Sequence, residues 1–426
     1  MISPFFRRPR ETTRKRLMQK PGKIVIASQH YPPDHSTTAA IMSAIAGHLA
    51  ADAPVLVLSG TPGSKREPVS SGEPTIVEIK NRLPGKSALI RRAIAEILFV
   101  LRTFLAPLMK LQRGDVALTV TAPFTLPYAV VAAAKLKRAR SALIMHDLFP
   151  DVLVMAGLLK PKSIVAHAIR AANALMFRAL DAVVTIGRDT EQLLLRYRGV
   201  TREKIWFIPN WATLAPAVRP IQPDNRYRRL NAARFVVGLY GNLGFTHDPV
   251  VVFEAARLLR DDPDIHFLLS GWGIGFEQLK QLQSKANLPN VTLVERVEDE
   301  NLEAFLLAAN VWLIPYRKNV AGVSVPSRFY NLLAVGRPVI IVSEPDAEAA
   351  LTVKEHRLGW VVAPGRSDEL AKAIRLAFSA EDSLMAERAV AIAKGFGIGR
   401  AMSGYTELVH GLLRNAKRGG ASINSG

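Results

Sequence analysis

Short apolar runs recur along the chain, separated by stretches of helical periodicity. KIVIAS, PVLVLS, DVALTV, SALIMHD, DAVVTIG and KIWFIPN mark the first half; ARFVVGLYG, IHFLLSG, NVTLVERV, ANVWLIPY, RPVIIVS and LGWVVAPG mark the second. This alternation predicts βαβ units and parallel sheets. The runs are apolar nearly throughout, as in strands covered on both faces. Between the two series, residues 211–231 (WATLAPAVRPIQPDNRYRRLN) are rich in proline and charge and read as a linker. The predicted fold is therefore α/β: two consecutive Rossmann-like parallel-sheet domains facing a central cleft. The expected divisions are a basic arm at 1–22, an N-terminal domain at 23–212 completed by a C-terminal helix at 397–416, a C-terminal domain at 213–396, and a disordered tail at 417–426.

Composition narrows the chemistry. At 426 residues and 49% hydrophobic, the chain can bury two cores. It has no cysteine, which excludes disulfides, thiolate metal sites and cysteine nucleophiles. A formal charge of +20 calls for an anionic partner: nucleic acid, membrane or phosphorylated substrate. The first twenty residues hold Arg7, Arg8, Arg10, Arg14, Lys15, Arg16 and Lys20 against Glu11, without an apolar core of signal-peptide length. They read as a disordered arm or as an interfacial anchor dipping Phe5 and Phe6 into lipid.

The segment SALIRRAIAEILFVLRTFLAPLMKLQRG is also basic. It sets Ile90, Ile94, Ile97, Leu98, Leu101, Phe104, Leu105, Leu108 and Leu111 at helical spacing, with Arg91, Arg92, Arg102, Lys110 and Arg113 mostly opposite. Either a core helix or a helix lying on anionic lipid fits; its charges and Pro107 argue against a membrane span.

In open parallel sheets, ligands sit beyond the carboxyl ends of the strands, so the residues after each run matter most. LYGNLGFTHDP places Gly241 and Gly244 where backbone amides could approach a diphosphate, or where a tight turn simply requires glycine. SGWGIGFEQL repeats this with Gly271 and Gly273, and Trp272 could stack on a base or pack. In SVPSRFYNLLAVGRPVIIV, Pro326 opens a turn, Ser327 is a helix cap or an early helical residue, and Arg328 projects from the same turn. Hydroxyl and guanidinium there suit a phosphate, and together with 241–244 could grip one diphosphate. In the first half, SQHYPPDHSTTAA should form a polar loop at the cleft. MHDLFPD directs His146 and Asp147 toward the same place, although a histidine at a strand end is often only a bonded loop residue. No HExxH, nucleophile elbow, Walker sequence or metal-spaced carboxylate cluster occurs.

Read in order, YPP, HDLFPD, TIGRDTEQLLLRYRGVTREKIWFIPNWA, GNLG and PSRFYNLLAVGRPVI resemble the retaining family-four glycosyltransferases of the GT-B fold, in the branch that assembles bacterial exopolysaccharide, colanic acid and O-antigen repeats. The resemblance runs from Lys23 to about Ser379. It implies a nucleotide-sugar donor in the C-terminal domain, an acceptor in the N-terminal domain, transfer with retention, and neither metal nor cofactor. Donor contacts would come from Gly241, Asn242, Leu243, Gly244, His247, Gly271, Trp272, Gly273, Val297, Ser324, Ser327, Arg328 and Asn331. Acceptor contacts would come from Asp34, His35, Ser36, Thr37 and Asp147, with His146 near the transferred sugar.

The chain departs from the family at four positions. The two usual donor-site glutamates align with Val323 and Asn331, and the usual basic pair with Asn242 and His247. Arg328 is the evident replacement for the lost charge. Catalysis would then rest on Arg328, Ser327 and His146, with His146 positioning rather than acting as base. The implied partners are a nucleotide sugar, a polyprenyl-diphosphate-linked saccharide and the cytoplasmic face of an anionic membrane, not nucleic acid. The alternatives are a non-catalytic transferase-like subunit, or a nucleotide-sugar epimerase or hydrolase on the same fold.

Overall fold

A computed structural model describes residues 22–80, 89–380, 382 and 384–421. The proposed basic arm and the charges Arg91 and Arg92 thus lie outside the described residues or side chains.

Among the described residues the first sheet has seven parallel strands: β1 (Ile24–Ser28), β2 (Val55–Ser59), β3 (Thr75–Glu78), β4 (Val116–Val120), β5 (Arg140–Met145), β6 (Ala182–Thr185) and β7 (Ile205–Phe207), ordered β3-β2-β1-β4-β5-β6-β7. The second has six: β8 (Phe235–Leu239), β9 (Ile265–Ser270), β10 (Val291–Val294), β11 (Val311–Pro315), β12 (Val339–Val342) and β13 (Gly359–Val362), ordered β10-β9-β8-β11-β12-β13. Every strand but β3 coincides with a predicted run. TIVE escaped because it is a four-residue edge strand with only Ile76 buried.

The helices of the first half are α1 (Thr37–Ala50), α2 (Leu89–Lys110), α3 (Leu126–Leu136), α4 (Asp151–Met155), α5 (Ile164–Ala179) and α6 (Thr190–Leu194). Those of the second are α7 (Pro249–Leu258), α8 (Ile274–Ala286), α9 (Leu302–Leu306), α10 (Arg328–Ala334), α11 (Glu348–His356), α12 (Ser367–Phe378), α13 (Met385–Gly395) and α14 (Ile398–Ala421). Successive strand residues feed opposite layers, which explains the continuous apolar runs. In β1, Ile24 and Ile26 face α1 and α14, whereas Val25 and Ala27 face α2 and α3.

The last helix crosses back to the first domain. Ala401, Met402, Tyr405, Leu408, Val409 and Leu412 form one stripe of α14, buried with Ile41, Ile45, Val116 and Ile144. Full burial of such side chains stabilises by roughly 1.5–3 kcal/mol each. Helix α14 continues to Ala421, so the expected tail from 417 begins as helix.

Helix α2 packs differently from its sequence pattern. Among its described side chains, which begin at Leu98, the buried stripe is Phe99, Thr103, Pro107 and then Leu111, while Leu98, Leu101, Leu105 and Met109 are exposed. Thr103 satisfies its hydroxyl by donating to the Phe99 carbonyl, which makes it acceptable in the core. Each sheet reverses its order once, between β1 and β4 and between β8 and β11. Those two switch points define where a ligand would lie.

Candidate active site

At the β8/β11 switch, the chain leaves β8 through Tyr240–Asp248, and the segment after β11 returns to it through Arg328. Gly241 has φ +111°, and a Cβ there would stand 3.1 Å from the Arg328 Cζ. Glycine thus lets the guanidinium lie flat on the loop. Arg328 donates from Nη1 to the Tyr240 carbonyl at 2.5 Å and from Nη2 to the Asn242 carbonyl at 2.5 Å, and Nη2 lies 3.1 Å from His247 Nε2. Among the described residues no carboxylate pairs with it. Burial lowers its pKa to about 10, so it stays charged at neutral pH.

His247 is held in register by Arg317, whose Nε donates to its carbonyl at 2.7 Å, and by Tyr316, whose ring lies 5.0 Å away. Burial, then Arg328 and Arg317, push its pKa well below the ordinary value. It is a neutral acceptor toward Arg328. Arg317 and Tyr240 were not foreseen as supports; Tyr240 lies near the end of one predicted run and Arg317 directly follows another.

The remaining donor-side residues divide. Ser327 stands at the N-cap position of α10 with an exposed side chain that makes no capping bond, so its hydroxyl is free for a ligand. Gly241 and Leu243 spend their amides on the Ser270 and Trp272 carbonyls, so of the two expected glycines only Gly244 keeps its amide for a ligand. Those of Asn242 and Gly244 have no acceptor among the described residues.

Gly271 and Gly273 serve loop packing: a Cβ would stand 2.4 Å from the Gly241 carbonyl oxygen and 2.6 Å from Asn242 Oδ1, respectively. Trp272 meets Tyr240 edge-on at 6.0 Å and carries the Arg296 guanidinium 4.6 Å over its ring, an aromatic–cation platform beyond β8, β9 and β10. Arg296 was not foreseen. Val297 is buried in the core.

Asn331 departs from its expected role. Its Oδ1 accepts from Thr213 N (2.8 Å), Thr213 Oγ1 (3.2 Å) and Leu214 N (3.2 Å). It ties the linker to α10, its Oδ1 accepting three hydrogen bonds and its Nδ2 donating to Thr213 Oγ1 at 2.9 Å. Val323 is buried, its amide bonded to Val320 O and its carbonyl to Leu148 N.

On the first domain, Thr121 Oγ1 accepts from the amides of His146 (3.2 Å) and Asp147 (3.3 Å), joining the ends of β4 and β5. The His146 Nε2 is enclosed without a hydrogen-bond partner among the described residues, and burial lowers its pKa to about 4. It is neutral at physiological pH. Asp147 pairs with Ser324 across the cleft, and burial raises its pKa despite the Ser324 hydroxyl. It therefore joins the domains rather than standing free for an acceptor.

In the 30–38 loop, Asp34 is occupied by His30 Nδ1 at 2.6 Å and by Ser36 N at 2.7 Å; Ser36 caps α1 through Ala39 N. These two scaffold the loop. His35 in the loop and Thr37 at the start of α1 are exposed.

Two family models cover the two domains: "Glycosyl transferase 4-like domain" matches residues 36–211, and "Glycosyl transferases group 1" matches residues 223–395. The chain belongs to the family-four glycosyltransferases of the GT-B fold. The probable glycosyltransferase WbjE of Pseudomonas aeruginosa is 27% identical over 293 residues, 68% of this chain and 72% of WbjE. The putative colanic acid biosynthesis glycosyl transferase WcaI of Escherichia coli (strain K12) is 29% identical over 221 residues, 50% of this chain and 54% of WcaI. Among solved structures, Anabaena Alr3699/HepE in complex with UDP and glucose superposes with a TM-score of 0.65 at 17% identity, covering 92% of this chain and 100% of HepE. That similarity shows the fold.

Proposed function

We propose that the protein transfers a sugar from a nucleotide-diphosphate donor, with retention, to a lipid-carrier-linked saccharide in bacterial surface polysaccharide synthesis. One observation carries the reading. Arg328 is a charged guanidinium held at the β8/β11 switch by carbonyls and a neutral histidine, with no carboxylate opposing it among the described residues. Such a group suits a diphosphate. The Ser327 hydroxyl and the amides of Asn242 and Gly244 would complete the receptor, with the Trp272–Arg296 platform for a base. HepE, crystallised with UDP and glucose, and WcaI, named for colanic acid biosynthesis, support the substrate class.

In this reading the bond from the anomeric carbon to the diphosphate breaks and a bond to the acceptor oxygen forms on the same face. The acceptor proton passes to the departing phosphate oxygen. The protein supplies position and stabilises charge on the leaving group, and His146 orients rather than abstracts. No metal or further cofactor takes part in this scheme.

The acceptor's lipid would approach the layer formed by α2, α3 and α5. That layer exposes Leu101, Leu105, Met109, Leu136, Ile164 and Val165, interleaved with Arg102, Lys110 and Lys135, and with Lys160 and Lys162 just before α5. Apolar and basic groups together suit the surface of an anionic membrane, at its cytoplasmic face. No described helix is long and apolar enough to cross one. A second reading, a subunit that binds the nucleotide without turnover, is favoured by one fact: neither Val323 nor Asn331 offers a sugar or ribose an acid.

The test is thermal stabilisation by nucleoside diphosphates and nucleotide sugars, wild type beside Arg328→Ala. Stabilisation by one nucleotide, lost in the variant, supports the donor site. No stabilisation by any of them overturns it.

A further inference from the structure

The loop after β6, Gly187-Arg188-Asp189, reaches from the first domain into the second. Asp189 Oδ2 accepts from the amides of Gly322 (2.7 Å) and Glu348 (3.0 Å), binding the segment that precedes Ser327 to the start of α11. Arg188 donates through its amide to Glu348 Oε2 (2.7 Å) and through Nε to Oε1 and Oε2 (3.1 and 3.0 Å); its Nη atoms reach the Glu355 carboxylate at 3.1 and 3.0 Å. Glu348 is only 4% exposed, and Thr352 donates a further bond to it. This is a sequestered carboxylate fully engaged by one arginine, unlike a surface ion pair.

Two glycines show that the approach is built into the chain. At Gly187 a Cβ would stand 2.4 Å from Asp189 Oδ1 and 2.7 Å from Val325 Cγ2; at Gly322, with φ +75°, it would stand 2.8 Å from the Asp189 carbonyl oxygen. A side chain on either surface would push the domains apart. The same segment is held from its other side, because Leu148 N donates to the Val323 carbonyl and Asp147 pairs with Ser324. Residues 322–325 are thus gripped by two loops of the first domain. Two residues later come Ser327 and Arg328.

We propose that Arg188 and Asp189 are positioning residues, which act through segment 322–325 to hold Ser327 and Arg328 where the diphosphate is received. The proposal rests on the donor reading above. It makes the phosphate receptor a product of both domains: the acceptor-side domain completes a site whose ligating groups all belong to the other. The arrangement with these contacts made is then the nucleotide-competent one, and groups far from the nucleotide set its affinity.

The experiment compares wild type with Arg188→Ala, Asp189→Ala and Asp189→Asn in the full chain. Amide hydrogen exchange is followed without ligand, and affinity is titrated with whichever of UDP, GDP or ADP stabilises the wild type. Asp189→Ala should speed exchange at 322–328 while the strands β8–β12 stay protected, and should weaken nucleotide binding on the order of tenfold or more. Asp189→Asn keeps one acceptor oxygen and should restore most of both. Gly187→Ala, which removes no contact group, should weaken binding in the same direction.

Unchanged exchange at 322–328 in Asp189→Ala overturns the clamp whatever the protein binds. Faster exchange with unchanged nucleotide affinity overturns its role in the site. A wild type that binds none of the three nucleotides overturns the donor reading, and the exchange data tell that failure from a failed clamp. If Asp189→Ala does not fold, Arg188→Lys, which keeps a cation beside the buried Glu348 but loses the paired contacts to Glu355, carries the same comparison.

Discussion

Arg328 Nη2 lies 3.1 Å from His247 Nε2, so one arginine and one neutral histidine form the polar floor of the β8/β11 switch point. The resemblance aligns the usual basic pair of this loop with Asn242 and His247; in this chain the charge beside the loop comes from Arg328 of α10. Arg328→Ala should therefore remove most of the diphosphate affinity and lower kcat by about 10²–10³, the range for losing one donor to a developing oxyanion. Arg328→Lys should recover little, because an ammonium cannot bond both carbonyls in a fixed plane and still face a phosphate. Steady-state kinetics with the stabilising donor decides it; a Lys variant near wild-type activity would mean that charge alone suffices.

The histidines give the protein an acid limb. His146 and His266 have pKa values lowered to about 4 by burial, and His247 lies well below the ordinary value for the same reason. A histidine neutral in the fold but free to protonate near pH 6.5 when unfolded contributes stability that is complete above that pH. It is lost progressively as the pH falls from about 6.5 toward 4. Tm should therefore hold level from pH 8 to 7 and fall between pH 6.5 and 4. In His146→Gln the slope of that fall should be shallower; an equal slope would mean that His146 does not report the transition.

The fold was legible because twelve strands are apolar runs and their spacing admits only crossover helices. The site was half legible. Arg328 and the 240–248 loop could be paired because both follow strands that flank a switch point. Asn331 could not be placed, since its partner Thr213 is 118 residues away in a linker without periodic pattern. Arg188 and Glu348, 160 residues apart, carry no signal beyond being charged. Helix α2 is apolar on most sides, so its pattern could not say which stripe faces α3; packing selected Phe99, Thr103 and Leu111.

Asn331 separates two roles that sequence alone confuses. If it ties the linker, Asn331→Ala should cost about 1 kcal/mol of stability, the net worth of a hydrogen bond at a half-exposed site, and leave nucleotide affinity unchanged. If it binds ribose, affinity should fall while stability holds. Chemical denaturation beside nucleotide titration distinguishes these, and a variant of wild-type stability with weakened binding would return Asn331 to the donor site.

The exposed stripe of α2 makes the last prediction. Leu98, Leu101, Leu105 and Met109 recur at helical spacing on solvent, with Arg102 and Lys110 beside them. Among the described residues nothing buries Leu101 or Met109, so Leu101→Glu and Met109→Glu should leave Tm within a degree or two of wild type. Both should weaken binding to vesicles containing phosphatidylglycerol, each by about tenfold or more, since a buried leucine or methionine contributes roughly 1.5–3 kcal/mol. Binding should also fall as salt rises from about 0.1 to 1 M, where the screening length shrinks from about 10 to 3 Å. Neutral phosphatidylcholine vesicles should bind weakly at either salt concentration. Two glutamates that change neither vesicle binding nor its salt dependence would remove α2 from the membrane surface and leave the basic charge of α3 and α5 to be tested in its place.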